Sequence, residues 1–195
     1  DLFRPRRVVV AWEGGRSAWR RAVYAGYKVR PASVLSSKLA DCFVQRGALR
    51  ELLALLGVDQ VEVPGVEADD VVAWLWDDAT NGGEGGGETV AILSTDRDFY
   101  QLVAADTSVH VGVSPTSVVD VTVGNFAEVT GKSSPAEWHA YRIVNGDASD
   151  AVPRVGGGLS GEKRWPDVYA CFRAMGYGEL GAVDFFLGRY EVGVS

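Results

Sequence analysis

Apolar residues recur along this 195-residue chain in short β-branched runs that alternate with longer helical periods. Arg7 to Trp12 is the first run, bounded by charge on one side and by Gly14 and Gly15 on the other, and it reads as a buried strand. Val34 to Leu56 carries a helical period with Leu39, Phe43, Leu49, Leu52, Leu53 and Leu56 on one face, stopped by Gly57. Val61 to Val63 is a short strand, and Glu67 to Trp76 a helix that turns Val71, Val72, Leu75 and Trp76 inward. Asn81 to Gly87 is a glycine-rich loop, after which Thr89 to Ser94 makes another buried strand. Phe99, Leu102 and Val103 predict a short helix, Val109 to Val113 and Val118 to Val123 two further strands, and Phe126 to Val129 a helical turn. Ser134, Pro135 and Glu137 form a capping-box start for a helix through Trp138, Tyr141 and Ile143 that Gly146 ends. A glycine turn, Gly156 to Gly161, precedes a last helix from about Glu162 to Met175.

Strands alternating with helices through residue 113, followed mainly by helices, predict an α/β sheet and then a helical lobe. With 47% hydrophobic residues the chain can bury a real core. Its longest apolar stretches, Val8 to Trp12 and Val90 to Leu93, are strand-sized and too short to span a membrane, and no secretory signal is visible. Cys42 and Cys171, far apart and joined only by His110 and His139, make neither a zinc knuckle nor a disulfide framework. A cytoplasmic protein is expected. Trp74, Trp76 and Trp138 are expected in the core, whereas Trp19, Tyr24 and Tyr27, interleaved with arginines, could stack on nucleobases.

Chemistry concentrates in acidic residues. Glu13 forms one block, Glu67, Asp69 and Asp70 a second, Asp96 and Asp98 a third, Asp147 and Asp150 a fourth. Each lies where an apolar run ends or a helical pattern begins, and in a parallel α/β sheet such ends converge on one edge. Like charges about 4 Å apart repel by roughly 4 kcal/mol per pair at an effective dielectric near 20, so a cluster this dense needs neutralising by protons or metal ions. Taken singly, each block is also what a capped helix or a tight turn would show.

Net charge is −7, but residues 1 to 30 hold eight basic side chains (Arg4, Arg6, Arg7, Arg16, Arg20, Arg21, Lys28, Arg30) against two acids, leaving −13 on the other 165 residues. A basic arm beside an acidic cleft suits a phosphodiester substrate; it is equally what a solvated N-terminal surface would carry.

Val61 to Leu75 (VEVPGVEADDVVAWL), Ile92 to Val103 (ILSTDRDFYQLV) and Gly146 to Pro153 (GDASDAVP) resemble, in order and spacing, the PIN-like 5′ nuclease superfamily of flap endonucleases and bacterial and phage 5′–3′ exonucleases. Val8 to Arg30 resembles that family's acid-tipped strand and the basic segment leading to a Tyr-Lys pair, here Tyr27 and Lys28. The resemblance implies a PIN-like, mostly parallel sheet flanked by helices, residues 1–123, with a basic arch segment over about 14–40. Residues 124–195 would then be a helix-hairpin-helix type DNA-binding lobe. It implies a monomeric, two-metal (Mg²⁺ or Mn²⁺) nuclease acting on DNA with a 5′ end, flap or branch, in a bacterial cytoplasm or that of a phage host. Glu13, Glu67, Asp69, Asp70 and Asp96 would surround one ion and Asp96, Asp98, Asp147 and Asp150 the other. Lys28, with Arg20, Arg21 or Arg30, would stabilise charge on the scissile phosphate. Arg16, Tyr27, Gly156, Gly158, Gly161 and Lys163 would bind DNA, with K⁺ at the glycine hairpin.

Three departures qualify the likeness. The family's first strand, with an aspartate at its end, lies upstream of the position of Val8 and is not in this sequence. Glu13 stands where the family has aspartate, displacing the carboxylate by about one C–C bond, ~1.5 Å. The turn from Gly156 to Lys163 is longer than the family's hairpin by about two residues. A catalytically weak DNA-binding member and a PIN-type ribonuclease are the rival readings; the second acidic pair followed by a glycine hairpin disfavours the ribonuclease.

Overall fold

The computed structural model describes residues 4–23, 25–29, 37–82, 87–114 and 117–145. Asp147, Asp150, Gly156, Gly158, Gly161, Lys163 and Arg30, together with the expected C-terminal helical lobe, lie outside the described residues. The fold is mixed α/β, and it divides into two compact units, Asp1–Val72 and Ala73–Ser195.

In the first unit β1 (Val9–Trp12) pairs in parallel with β2 (Asp59–Glu62), Val9 opposite Asp59 and Trp12 opposite Glu62. Strand β1 is shorter than its expected run, Arg7 to Trp12, whereas β2 begins two residues before the expected Val61 and ends at Glu62. Between them come α1 (Ala18–Val23) and α2 (Ser37–Leu55). Helix α1 was not expected; the Ser17 hydroxyl caps it by accepting the Arg20 N–H at 3.3 Å. The apolar stripe of α2 is largely uncovered among the described residues, with Leu49, Leu52, Leu55 and Leu56 all exposed. Its expected core-facing role therefore fails for Leu49, Leu52 and Leu56; the two-stranded sheet is too narrow to cover a 19-residue helix.

Helix α3 (Ala68–Asn81) starts one residue later and ends five residues later than its apolar pattern predicts. Glu67 stands at the N-cap position, where its carbonyl accepts the Val71 N–H at 3.3 Å. Division of the chain falls inside this helix, after Val72. Trp74, expected in the core, is 53% exposed: three residues after buried Val71 and next to fully enclosed Ala73, it lies toward the outer side of the helix.

In the second unit β3 (Val90–Leu93) pairs in parallel with β4 (Thr107–Ser114), and β4 pairs antiparallel with β5 (Ser117–Val121). The described strands thus form a two-stranded and a three-stranded sheet, parallel except at β4–β5. A 3₁₀ helix (Arg97–Leu102), α4 (Phe126–Thr130) and α5 (Pro135–Asn145) complete the unit. Ile92, Phe99, Tyr100, Leu102, Val109, Val121, Phe126 and Trp138 form its core. The capping box is present in altered form: Ser134 Oγ accepts the Glu137 N–H, while the Glu137 carboxylate reaches Ser133 N–H at 2.7 Å. His110 and His139 are structural members of this unit; buried His110 bonds Ser108 Oγ at 2.7 Å and Asp120 Oδ1 at 2.6 Å.

Candidate active site

Backbone closeness brings the first two acidic blocks together. Gly14, just past β1, donates its N–H to Val66 O at 3.2 Å and accepts the Gly65 N–H at 2.9 Å. Only glycine fits, because a β-carbon there would lie 1.9 Å from the Val63 carbonyl oxygen. This clasp lays the end of β1 on the turn before α3. Glu13 Oε2 consequently accepts the Ala68 N–H at 3.4 Å, while Oε1 accepts Gly15 N–H at 3.2 Å. A carboxylate at the start of α3 is favoured by the helix dipole.

Glu67 is 1% exposed. Its Oε1 accepts the Ser17 N–H at 3.0 Å, and its Oε2 accepts Tyr27 OH and Lys28 Nζ, each at 2.8 Å, and more distantly Arg20 at 3.4 Å. Burial alone would raise its pKa, but Lys28, then Ser17 and Tyr27, hold it below the ordinary glutamate value. Asp70 takes the two Arg20 guanidinium nitrogens at 2.6 and 2.5 Å, a bidentate pair. Burial would lower Arg20, yet its bond to Asp70 and the charges around it raise it above the usual value. Asp69 Oδ1 accepts only the Asp70 N–H among described partners, at 3.0 Å. Burial, and then the charge of Asp70, push the Asp69 carboxyl up to about 6.

Tyr27, a candidate for stacking on a base, is 8% exposed, with the Arg20 and Lys28 cations 5.9 and 5.3 Å from its ring centre. Burial and its bond to Glu67 raise its pKa. Lys28 sits at φ 50°, the one described non-glycine residue with positive φ. Arg16 and Arg21 are exposed.

In the second unit Asp96 follows β3 and caps the 3₁₀ helix by accepting the Asp98 N–H at 2.9 Å. Asp98 instead accepts Arg142 Nε of α5 at 2.8 Å. Arg142 and Ser17 were missed as members of these clusters. Ser17 is legible as a cap preceding a basic helical turn; Arg142 has no local signal, since its partner is 44 residues away.

The repulsion expected among the acids is thus met in part by side-chain cations, Arg20, Lys28 and Arg142. No group of three or more His, Cys, Asp or Glu side chains among the described residues is arranged to hold a metal ion. Donor chemistry in the first unit nevertheless suits a hard divalent ion: Glu13 and Asp69 are oxygen donors whose described partners are backbone N–H groups.

Residues 1–131 match the family model described as 5′–3′ exonuclease, N-terminal resolvase-like domain. The chain is 36% identical over 150 residues to the thermostable DNA polymerase I of Thermus aquaticus, covering 77% of this chain and 16% of that protein. It is 35% identical over 153 residues to DNA polymerase I of Deinococcus radiodurans, covering 77% and 14% respectively. It therefore spans about a sixth of the length of these relatives. Among solved structures, the phage T5 D15 protein co-crystallised with metal ions superposes with a TM-score of 0.66 at 19% identity, over 88% of this chain and 62% of that one. The T5 D15 flap endonuclease in a pseudo-enzyme-product complex with DNA and metal ions gives 0.58 at 15% identity, over 93% and 74%. The fold is shared with these phage proteins, and the chain belongs to the 5′–3′ exonuclease N-terminal, resolvase-like domain family of PIN-like 5′ nucleases.

Proposed function

We propose that the chain is a divalent-metal-dependent, structure-selective 5′ nuclease that hydrolyses DNA phosphodiester bonds near a 5′ end, flap or branch. Family membership over residues 1–131 supports this reading, and the observation that carries it is the juxtaposition of acids and cations at the start of α3, where Arg20 and Lys28 stand beside Glu67, Asp69 and Asp70. Such a site offers both hard oxygen donors and phosphate-binding cations.

In this reading Glu13, Glu67, Asp69, Asp70, Asp96, Asp98, Asp147 and Asp150 hold two Mg²⁺ or Mn²⁺ ions. When bound, such a pair supplies water activation and charge stabilisation at an in-line phosphoryl displacement. The chain's own cations do the rest. Lys28 and Arg20, with Arg21 and Arg30, neutralise the scissile phosphate as charge builds on it. Exposed Arg16 takes the flanking DNA backbone, and the backbone N–H groups of Gly156, Gly158 and Gly161, with Lys163, hold duplex. A K⁺ ion at that glycine turn, a monomeric state and a cytoplasmic setting complete the proposal. No helix among the described residues is long and apolar enough to cross a membrane.

The direct test is cleavage of a 5′-labelled flap duplex with Mg²⁺, with Mn²⁺ and with chelator. Cleavage that stops on chelation is expected, and a full-length chain that binds flap DNA equally with or without metal and never cuts it would favour the DNA-binding reading instead.

A further inference from the structure

The two carboxylates of the third acidic block are fixed in different ways. Asp96 is held locally, its Oδ1 accepting the Asp98 N–H at 2.9 Å as the cap of the 3₁₀ helix. At Asp98 the main chain is engaged at both polar groups, the N–H by Asp96 and the carbonyl by Gln101 Nε2 at 2.7 Å. What this leaves to be set is the side chain, whose torsions swing the carboxylate between staggered wells at χ1 and through a broad range at χ2. A carboxylate that is to meet a metal ion must be held in one orientation, and ligating carboxylates are themselves hydrogen-bonded to that end.

Helix α5 supplies that restraint from 44 residues away, where Arg142 Nε donates to Asp98 Oδ1 at 2.8 Å. Trp138, one turn earlier on α5, prepares the reach. It is buried, its ring centre lies 5.4 Å from that of Tyr100, and its indole N–H is donated to Arg97 O at 3.1 Å. Residues at i and i+4 share one helix face, so the packing that seats Trp138 against Arg97 also brings Arg142 to the next residue, Asp98. An exposed ion pair ordinarily loses most of its Coulomb gain to the ordering of two long side chains. Here helix packing has already placed both backbones, and the contact serves direction more than stability.

We propose that Arg142 is a positioning residue for Asp98: it holds the carboxylate in the orientation from which Asp98 helps to bind a divalent ion. This role rests on the nuclease reading, which puts an ion at Asp98. Arg142 acts through Asp98 and touches neither the ion nor the substrate, which separates it from a guanidinium that grips DNA phosphate.

The full chain, its Arg142→Ala, Arg142→Lys and Asp98→Ala variants and the Arg142→Ala, Asp98→Ala double variant are titrated with Mn²⁺ alone, thermal unfolding confirming that each folds. Removing an outer hydrogen bond from a metal ligand typically costs about 10–100-fold in affinity. Arg142→Ala is therefore expected to weaken, by about tenfold, the Mn²⁺ site that Asp98→Ala weakens. Arg142→Lys should recover part of the loss, since it keeps a charged donor without the planar fork. In the Asp98→Ala background, Arg142→Ala should change affinity by less than about twofold, because its effect runs through the absent carboxylate. With 5′-flap DNA, excess Mn²⁺ should restore the kcat of Arg142→Ala, and KM for DNA should stay within about twofold of the parent. Mn²⁺ affinity that is unchanged or tighter in Arg142→Ala, an equal loss in both backgrounds, or an Asp98→Ala variant that binds Mn²⁺ like the parent overturns the proposal. A raised KM that excess Mn²⁺ does not correct overturns it too, and assigns the guanidinium to DNA. Should Arg142→Ala not fold, Arg142→Met, which keeps the apolar stem and removes every donor, decides by the same titration. A parent chain that binds Mn²⁺ but never cuts DNA overturns the nuclease reading while the titrations still decide the role of Arg142, and a parent that binds no Mn²⁺ overturns both.

Discussion

Gly14 shows how much of the site depends on the absence of one carbon. A β-carbon 1.9 Å from the Val63 carbonyl oxygen cannot be relieved by a side-chain rotation, because both partners are backbone. Gly14→Ala must therefore part β1 from the turn before α3, with an expected loss of about 3 kcal/mol, at the upper end of overpacking costs. Urea unfolding measures it, and a loss below about 1 kcal/mol would mean that the clasp is soft. His139 makes a prediction in pH. Burial lowers its pKa to about 4 from an ordinary 6.5, so the unfolded chain binds a proton that the folded chain refuses between those values. Its contribution is complete above pH 6.5 and is lost as pH falls toward 4, with a ceiling of roughly 3 kcal/mol. In His139→Gln the slope of stability against pH over this window should flatten; an unchanged slope would assign the acid sensitivity elsewhere.

At the scale of elements, α5 is held to the 3₁₀ helix by two contacts of unequal worth. Trp138 is buried against Tyr100 at 5.4 Å between ring centres and donates its indole N–H to Arg97 O at 3.1 Å. Arg142 meets Asp98 at 2.8 Å, but both side chains are about one-third exposed and screened. Trp138→Ala should cost about 3–5 kcal/mol and Arg142→Ala under about 1 kcal/mol, as urea midpoints will show. The first value belongs to a packed core, the second to a surface pair. Such elements were legible because their signals are local: β3, β4 and β5 follow their β-branched runs, α4 ends at Gly131 in the left-handed conformation, and α5 begins at Ser134 and Pro135. Where the signal is shared between distant segments, reading from sequence fails. Helix α1 is six residues long and holds no apolar period to detect. The stripe on α2 is real in sequence, yet what covers a helix is a property of its neighbours, and β2 covers little of it. The acidic blocks were legible by order and spacing, whereas the pairing of Glu67 with Lys28 and Asp98 with Arg142 depends on contacts across 39 and 44 residues.

For the whole molecule, the uneven charge becomes an argument about ion binding. The first thirty residues carry an excess of positive charge while the chain as a whole stands at −7, and Arg7, Arg20 and Lys28 are already committed to Asp59, Asp70 and Glu67. Internal cations therefore neutralise only part of the acid load, and Asp69 shows the remainder: burial and the charge of Asp70 hold its carboxyl up at about 6. A divalent ion that binds the folded chain and not the unfolded one relieves that load and stabilises the fold by mass action. At one hundred times its dissociation constant the gain is about 2.7 kcal/mol, which for a chain of this size raises Tm by roughly 5–10 °C. The expected outcome is a Tm that climbs with Mn²⁺ or Mg²⁺, returns on chelation, and does not follow NaCl at matched ionic strength, because general screening reaches surface pairs and not a coordinated ion. Asp69→Asn should remove much of the climb while leaving the metal-free Tm equal or higher, since the variant no longer buries an uncompensated charge. A Tm indifferent to both ions in the parent chain would mean that protons and arginines alone balance these carboxylates, and the two-ion reading would have to be given up.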